Sequence, residues 1–200
     1  MHARSTTFHG RPGNIDAGIK FIENEAGPML GATAGCRGLS FLVDRDTGQC
    51  IATSSWSDEA TMFASDDELR PLRDRGREVL GGSMQIDEWE IAVMHRSHHG
   101  ACCRVSWLQG DLDVIVDTFR FAVLPDLART AGFCSASLLV NREDAVACAT
   151  TGWETRASMA ASRIMADDLR GRTADEAGGM VVDVHEFDLA YAHLHVPEMA

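Results

Sequence analysis

The sequence predicts an α+β fold: two βαββαβ repeats, residues 1–97 and 98–200, whose antiparallel sheets pack face to face as a barrel within one chain. Three observations predict it. The chain is written twice, each copy runs through the same order of apolar patterns, and the last strand of each copy is apolar on both faces.

The duplication comes into register at a shift of 97, where Pro28 meets Pro125, Leu42-Val43 meets Leu139-Val140, Trp56 meets Trp153, and Gly81-Gly82 meets Gly178-Gly179. One inserted residue then moves the shift to 98, where Glu88, Ala92 and His95 meet Glu186, Ala190 and His193. Two copies are too few for a solenoid, so they read as two homologous domains joined near Ser97–Gly100.

Each copy opens on a short strand, Ser5 to His9 and Cys103 to Trp107. A helix follows, with Asn14 or Asp111 at the position where a side-chain oxygen satisfies a free N–H. Ile15, Ile19, Ile22, Ala26 and Leu30 form one apolar helical face, and Leu112, Val116, Phe119, Val123 and Leu127 repeat it. Pro28 and Pro125 should kink or shorten the last turn. A hairpin comes next, Leu39 to Val43 and Cys50 to Ser55 around Asp44–Gly48, then Ala136 to Val140 and Ala145 to Thr151. Helices are predicted over 58–65 and 67–80, and over 155–177, each region ended by a glycine pair. The closing strands run from Met84 to Met94 and from Val181 to Leu194. This order is the ferredoxin-like split pattern, a four-stranded antiparallel sheet with helices on one face.

Such a sheet leaves one face bare. Trp89, Ile91 and Val93 alternate with Ile86, Ala92 and Met94 along the first closing strand. Burial of apolar surface stabilises by about 25 cal/mol per Å². The simplest cover is the sheet of the other copy.

Composition narrows the function without naming it. The chain has 200 residues, 45% hydrophobic and 24% charged, as in ordinary globular domains. Its net charge of −12 disfavours nucleic-acid backbones as partners. No apolar run is long enough for a membrane-spanning helix. The first ten residues carry no hydrophobic leader, and the six cysteines show no CxxC spacing. They read as reduced thiols of a cytoplasmic protein.

The segment Thr53-Ser54-Ser55-Trp56-Ser57-Asp58-Glu59-Ala60, echoed by Thr150-Thr151-Gly152-Trp153-Glu154-Thr155, resembles the dimeric α+β barrel proteins, among them the antibiotic-biosynthesis monooxygenases. There, a strand-end tryptophan is followed by a polar helix start. The resemblance covers nearly the whole chain. It implies a barrel usually made by two subunits, here fused, and a chemistry ranging from cofactor-free oxidation of aromatic substrates to haem degradation. The family's cofactor-free oxygenases commonly carry an asparagine four positions before the tryptophan; this chain has Ala52 and Ala149. Its haem-degrading members use a histidine on the following helix, where this chain offers arginines, among them Arg73 and Arg170.

Candidate site residues follow. Trp56, Trp153, Phe41 and Trp89 are aromatic walls for a flat ligand, or core. Arg73 and Arg170 can hold an anionic group, or stitch a surface helix. His95 and His193 are candidate bases, or partly exposed strand-end histidines. Glu90 and Asp188 are candidate acid–base carboxylates, paired on one strand face with Glu88 and Glu186, or a solvated face. His95, His98, His99, Cys102 and Cys103 are metal-type ligands in no common zinc spacing, so no metal and no cofactor is expected. The reading is a cofactor-independent monooxygenase-like enzyme for a small aromatic or polyketide-type molecule, acting as a monomer or homodimer of the fused chain. The alternatives are a non-catalytic small-molecule-binding or regulatory protein, and a haem-binding or haem-degrading protein with an atypical ligand.

Overall fold

The structure, a computed structural model, describes residues 1–199. Eight strands are named: β1 (His2–His9), β2 (Cys36–Val43), β3 (Gln49–Trp56), β4 (Ser83–Arg96), β5 (Cys102–Gln109), β6 (Phe133–Asn141), β7 (Val146–Trp153) and β8 (Met180–Leu194). They hydrogen-bond in the order β1-β3-β2-β8-β5-β7-β6-β4, and the ring closes. The expected α+β barrel therefore forms within one chain.

The chain divides into two compact units that do not follow the 97/98 boundary. One unit is Met1–Trp89 with Asp188–Val196, and the other is Glu90–Phe187 with Pro197–Ala200. The cause is strand pairing. β2 pairs antiparallel with the far half of β8, from Gly38 opposite Leu194 to Val43 opposite Asp188. β6 pairs likewise with the far half of β4, from Glu90 opposite Val140 to Arg96 opposite Ser135. Each copy's hairpin thus takes its outer partner from the other copy's last strand.

In the first unit, α1 (Ile15–Phe21) runs through a π-helical segment, Ile22–Ala26, into α2 (Gly27–Ala32). After the hairpin come α3 (Glu59–Ala64) and α4 (Asp66–Leu80). The second unit repeats this with α5 (Leu112–Thr118), a π segment at Phe119–Val123, α6 (Leu124–Ala128), α7 (Arg156–Ala161) and α8 (Arg163–Glu176). The prolines fall where a π segment interrupts the α-helix. Each sits in the first turn of a new α segment, just after the π turn. A proline ring clashes with the carbonyl four residues back, and the wider π turn moves that carbonyl away.

The expected N-caps hold in one copy only. Asp111 Oδ1 accepts from the N–H groups of Asp113 and Val114 at 3.1 and 3.3 Å. Asn14 instead donates its Nδ2 to the Leu80 carbonyl at 3.3 Å, because a short 3-10 turn, Pro12–Asn14, precedes α1. Gly81, with φ +75°, closes α4 in the left-handed conformation that glycine adopts without strain. The core of the first unit gathers Phe8, Ile15, Phe41, Trp56 and Met62. That of the second gathers Ile115, Phe119, Leu138, Trp153 and Met159. Among the described residues, no helix is long and apolar enough to cross a membrane.

Candidate functional site

Each unit buries an arginine that its sheet supplies. In the first, Arg4 on β1 is 3% exposed and sends Nε and Nη2 to Glu88 Oε1 at 2.9 and 2.6 Å. Its Nη1 reaches Ser65 Oγ at 3.5 Å and Asp66 Oδ1 at 3.5 Å. Asp66 in turn meets Arg73 Nη2 at 2.5 Å and Arg70 Nη2 at 3.2 Å. Burial alone would raise the Asp66 carboxyl, but Arg73 and Arg4 outweigh it and hold the group below its ordinary range.

The second unit repeats the device. Arg104 on β5, 2% exposed, sends Nε and Nη2 to Glu186 Oε1 at 3.1 and 2.9 Å, and Nη1 to Ser162 Oγ at 2.9 Å. Arg163 clasps the same carboxylate at 3.1 and 2.7 Å. Its hydrogen bonds, acting against burial and joined by those of Arg104, lower Glu186 to about 2.

Beside each cluster lies a cavity between helices and sheet. The first holds about 50 Å³, with Arg4, Arg73 and Ser54 at a polar end and Phe8, Phe21 and Leu30 among its apolar walls. The second holds about 40 Å³, with Arg170, Ser106 and Thr151 against Ile115, Phe119 and Leu127. Both π segments contribute walls: Ile22 and Ala26 to the first, Phe119 and Val123 to the second. Arg73 Nε is buried and has no hydrogen-bond partner among the described residues. A buried N–H left in that state is costly, so it marks the cavity as a place for an acceptor. Burial lowers the guanidinium of Arg73 against the pull of Asp66, and does the same to Arg170 beside Asp167.

Arg73 and Arg170 are thus the sequence candidates that line the cavities. Trp56 and Trp153 are fully buried and are not among the lining residues. Each donates Nε1 to a residue that is, Ser54 Oγ at 3.0 Å and Thr151 Oγ1 at 3.1 Å. Phe41 is core, and Trp89 is buried with Nε1 on Ser5 Oγ at 2.9 Å. Trp56 and Trp153 thus brace residues of the cavity lining from behind, and neither Phe41 nor Trp89 is among the lining residues.

The candidate bases lie elsewhere. His95 stacks on Phe133 with centroids 6.0 Å apart and bonds Glu198 Oε1 through Nδ1 at 2.5 Å. Glu90 pairs with Arg142 at 3.0 Å, half-exposed. Asp188 stands opposite Val43 on β8. His193 lines a separate groove of about 430 Å³, which shares Leu30 and Leu39 with the first cavity. The junction does not assemble a metal centre: no three His, Cys, Asp or Glu side chains converge among the described residues. Burial pushes the Cys103 thiol up to about 12, away from the thiolate a metal needs.

Arg4 and Arg104 escaped the sequence reading. The shift of 97 sets Arg4 against Ala101, whereas strand register sets Arg4 opposite Ser54 and Arg104 opposite Thr151. The first strands are offset by 100, because the Pro12–Asn14 turn adds three residues to the first copy only. Testing the initial strands at their own offset would have found the pair.

No family model matches the chain. Among curated proteins it is similar to Rv2558 of Mycobacterium tuberculosis (strain ATCC 25618 / H37Rv), with 43% identity over 208 residues spanning 100% of this chain and 87% of that protein. Rv2557 of the same strain shows 40% identity over 205 residues, spanning 100% and 92%. The chain belongs to the Rv2557/Rv2558 family. The curated names of both Rv proteins call them uncharacterized. Solved structures show how widely the fold of this Rv2557/Rv2558 relative recurs. A protein of Lactobacillus acidophilus NCFM superposes with a TM-score of 0.70 at 9% identity, covering 97% of this chain and 96% of that one. An anthrone oxidase-like protein gives 0.67 at 12%, covering 100% and 94%. LmHde, a heme-degrading enzyme from Listeria monocytogenes, gives 0.55 at 10%, covering 94% and 99%. These likenesses establish a shared α+β barrel fold.

Proposed function

We propose that the chain is a small-molecule enzyme of the cofactor-independent monooxygenase type, taking an acidic aromatic substrate in its arginine-headed cavities. The observation that carries this reading is the buried, unpartnered Nε of Arg73 at the end of an apolar cavity. A phenolic or enolic oxygen would accept that N–H while its ring lies against Phe8, Phe21 and Leu30. A charge-assisted bond favours the substrate anion, which lowers the substrate's own pKa. Neither cavity lining contains a carboxylate or an imidazole, so water takes the proton. The electron-rich carbon then reacts with dioxygen. For a methylene substrate, CH₂ and O₂ give C=O and H₂O, with the substrate supplying the electrons. The protein contributes binding, orientation and charge.

The cavities at rest are far smaller than the roughly 300–1,000 Å³ of ordinary ligand sites. A ligand must therefore spread the π segments, whose wider turns are the weakest part of the helical wall. This favours a single ring over a polycycle. The anthrone oxidase-like neighbour supports the oxidative reading by its name and fold. The haem reading lacks its usual ligand: no histidine occurs on α3, α4, α7 or α8, and both cavities at rest are far smaller than a macrocycle.

A second reading, a ligand-binding protein without turnover, is favoured by the missing side-chain base and by Ala52 and Ala149 in the cavity walls. Oxygen uptake with a panel of hydroquinones, phenolic acids and anthrones separates the two. The enzyme reading predicts uptake that falls at least about tenfold in Arg73→Met. Tight binding with no uptake from any compound would establish the second reading, and neither uptake nor binding would overturn both.

A further inference from the structure

The groove of about 430 Å³ in the first unit carries a pair the cavity reading does not use. His193, next to last in β8, and His195, one residue past its end, sit two apart, so both rings project from one face of the extended chain. Their Nε2 atoms are 2.7 Å apart and their rings cross edge to face, centroids 4.7 Å apart at 66°. The backbone beneath is fixed at both residues. His193 stands opposite Leu39, and the His195 N–H donates to the Arg37 carbonyl at 2.7 Å.

We propose that His193 and His195 chelate a divalent transition-metal ion whose remaining positions open into this groove. Two imidazole nitrogens at about 2.0–2.1 Å from one metal, subtending 90° to 109°, stand about 2.9–3.3 Å apart. The observed pair is within a few tenths of an ångström of that bite. Imidazole donors select copper, nickel or zinc over magnesium or calcium. Glu23 on the groove wall and a net charge of −12 favour a cation there. No third His, Cys, Asp or Glu closes the site among the described residues. The ion would keep exchangeable positions facing Tyr191 and Cys36, as a site for a small oxygen or nitrogen ligand would require. The first copy lacks the device. Two residues after His95 stands Ser97, and His95 is held by Glu198.

The test is titration of the chelator-stripped full chain with Cu²⁺ and with Zn²⁺ by calorimetry, with the Cu²⁺ signal also read by electron paramagnetic resonance. The prediction is one saturable site with a two-nitrogen signature. Affinity should fall at least about tenfold in His193→Ala and in His195→Ala and stay unchanged in His185→Ala. Unaltered thermal unfolding of the apo variants would show that they remain folded. No saturable binding up to about 1 mM, or binding that survives both substitutions, would overturn the proposal and leave the contact as a hydrogen bond between the two rings.

Discussion

Glu186 shows how one side chain sets a local limit on stability. It satisfies Arg104, which is 2% exposed, and Arg163 at once. Removing one partner of a buried pair leaves an uncompensated charge, at a cost of about 3–5 kcal/mol. Glu186→Gln is therefore expected to lose about 3 kcal/mol by urea denaturation. The pH dependence follows from the depressed carboxyl. Its folded value, about 2, lies below its unfolded value of 4.5, so the unfolded state binds more protons between them. The stabilisation is complete above 4.5 and is lost as pH falls toward 2; Glu186→Gln should flatten that part of the acid-unfolding curve. At this scale the sequence was half legible. Arg73 and Arg170 were visible because the repeat register holds through α4 and α8. Their buried partners Arg4 and Arg104 were hidden by three residues of turn. The tryptophans were legible as a signature but not as braces, because which way an indole points depends on the partner of its N–H, a tertiary fact.

Two elements carry testable geometry. The π segments were not visible in the apolar stripe, since spacings of three and four read the same through a single wide turn. A π turn behaves as one inserted residue, so deleting Asn24 should restore an α-helix across Ile22–Ala26 while α2 keeps its face. The expected result is a folded protein with unchanged or higher thermal stability that no longer takes ligand in the first cavity, by calorimetry. Loss of folding would show that the wide turn is needed for more than the cavity. Gly38 on β2 is the second case. It adopts φ +135°, and a Cβ there would stand 2.1 Å from the His193 carbonyl. Gly38→Ala should cost about 2–4 kcal/mol through strain where β2 meets β8. It should also weaken any metal bound at His193 and His195, because the strand that presents them would shift.

For the whole molecule, the sequence disclosed two copies and a barrel but not where the compact units divide. Repeats are recognised by position along the chain, whereas the units follow hydrogen bonding, and β2 finds its outer partner in Asp188–Leu194 of the other copy. The consequence concerns the isolated first copy, residues 1–97. It lacks the strand that completes β2, and its Glu90–Arg96 segment lacks β6. Because β4 and β8 are equivalent strands, two such fragments can each supply what the other is missing, and unpaired edges seek partners. Sedimentation equilibrium of fragment 1–97 is the direct measurement. A homodimer whose melting temperature rises with protein concentration is the predicted result. A folded monomer at micromolar concentration would contradict the exchange of last strands on which the fold rests.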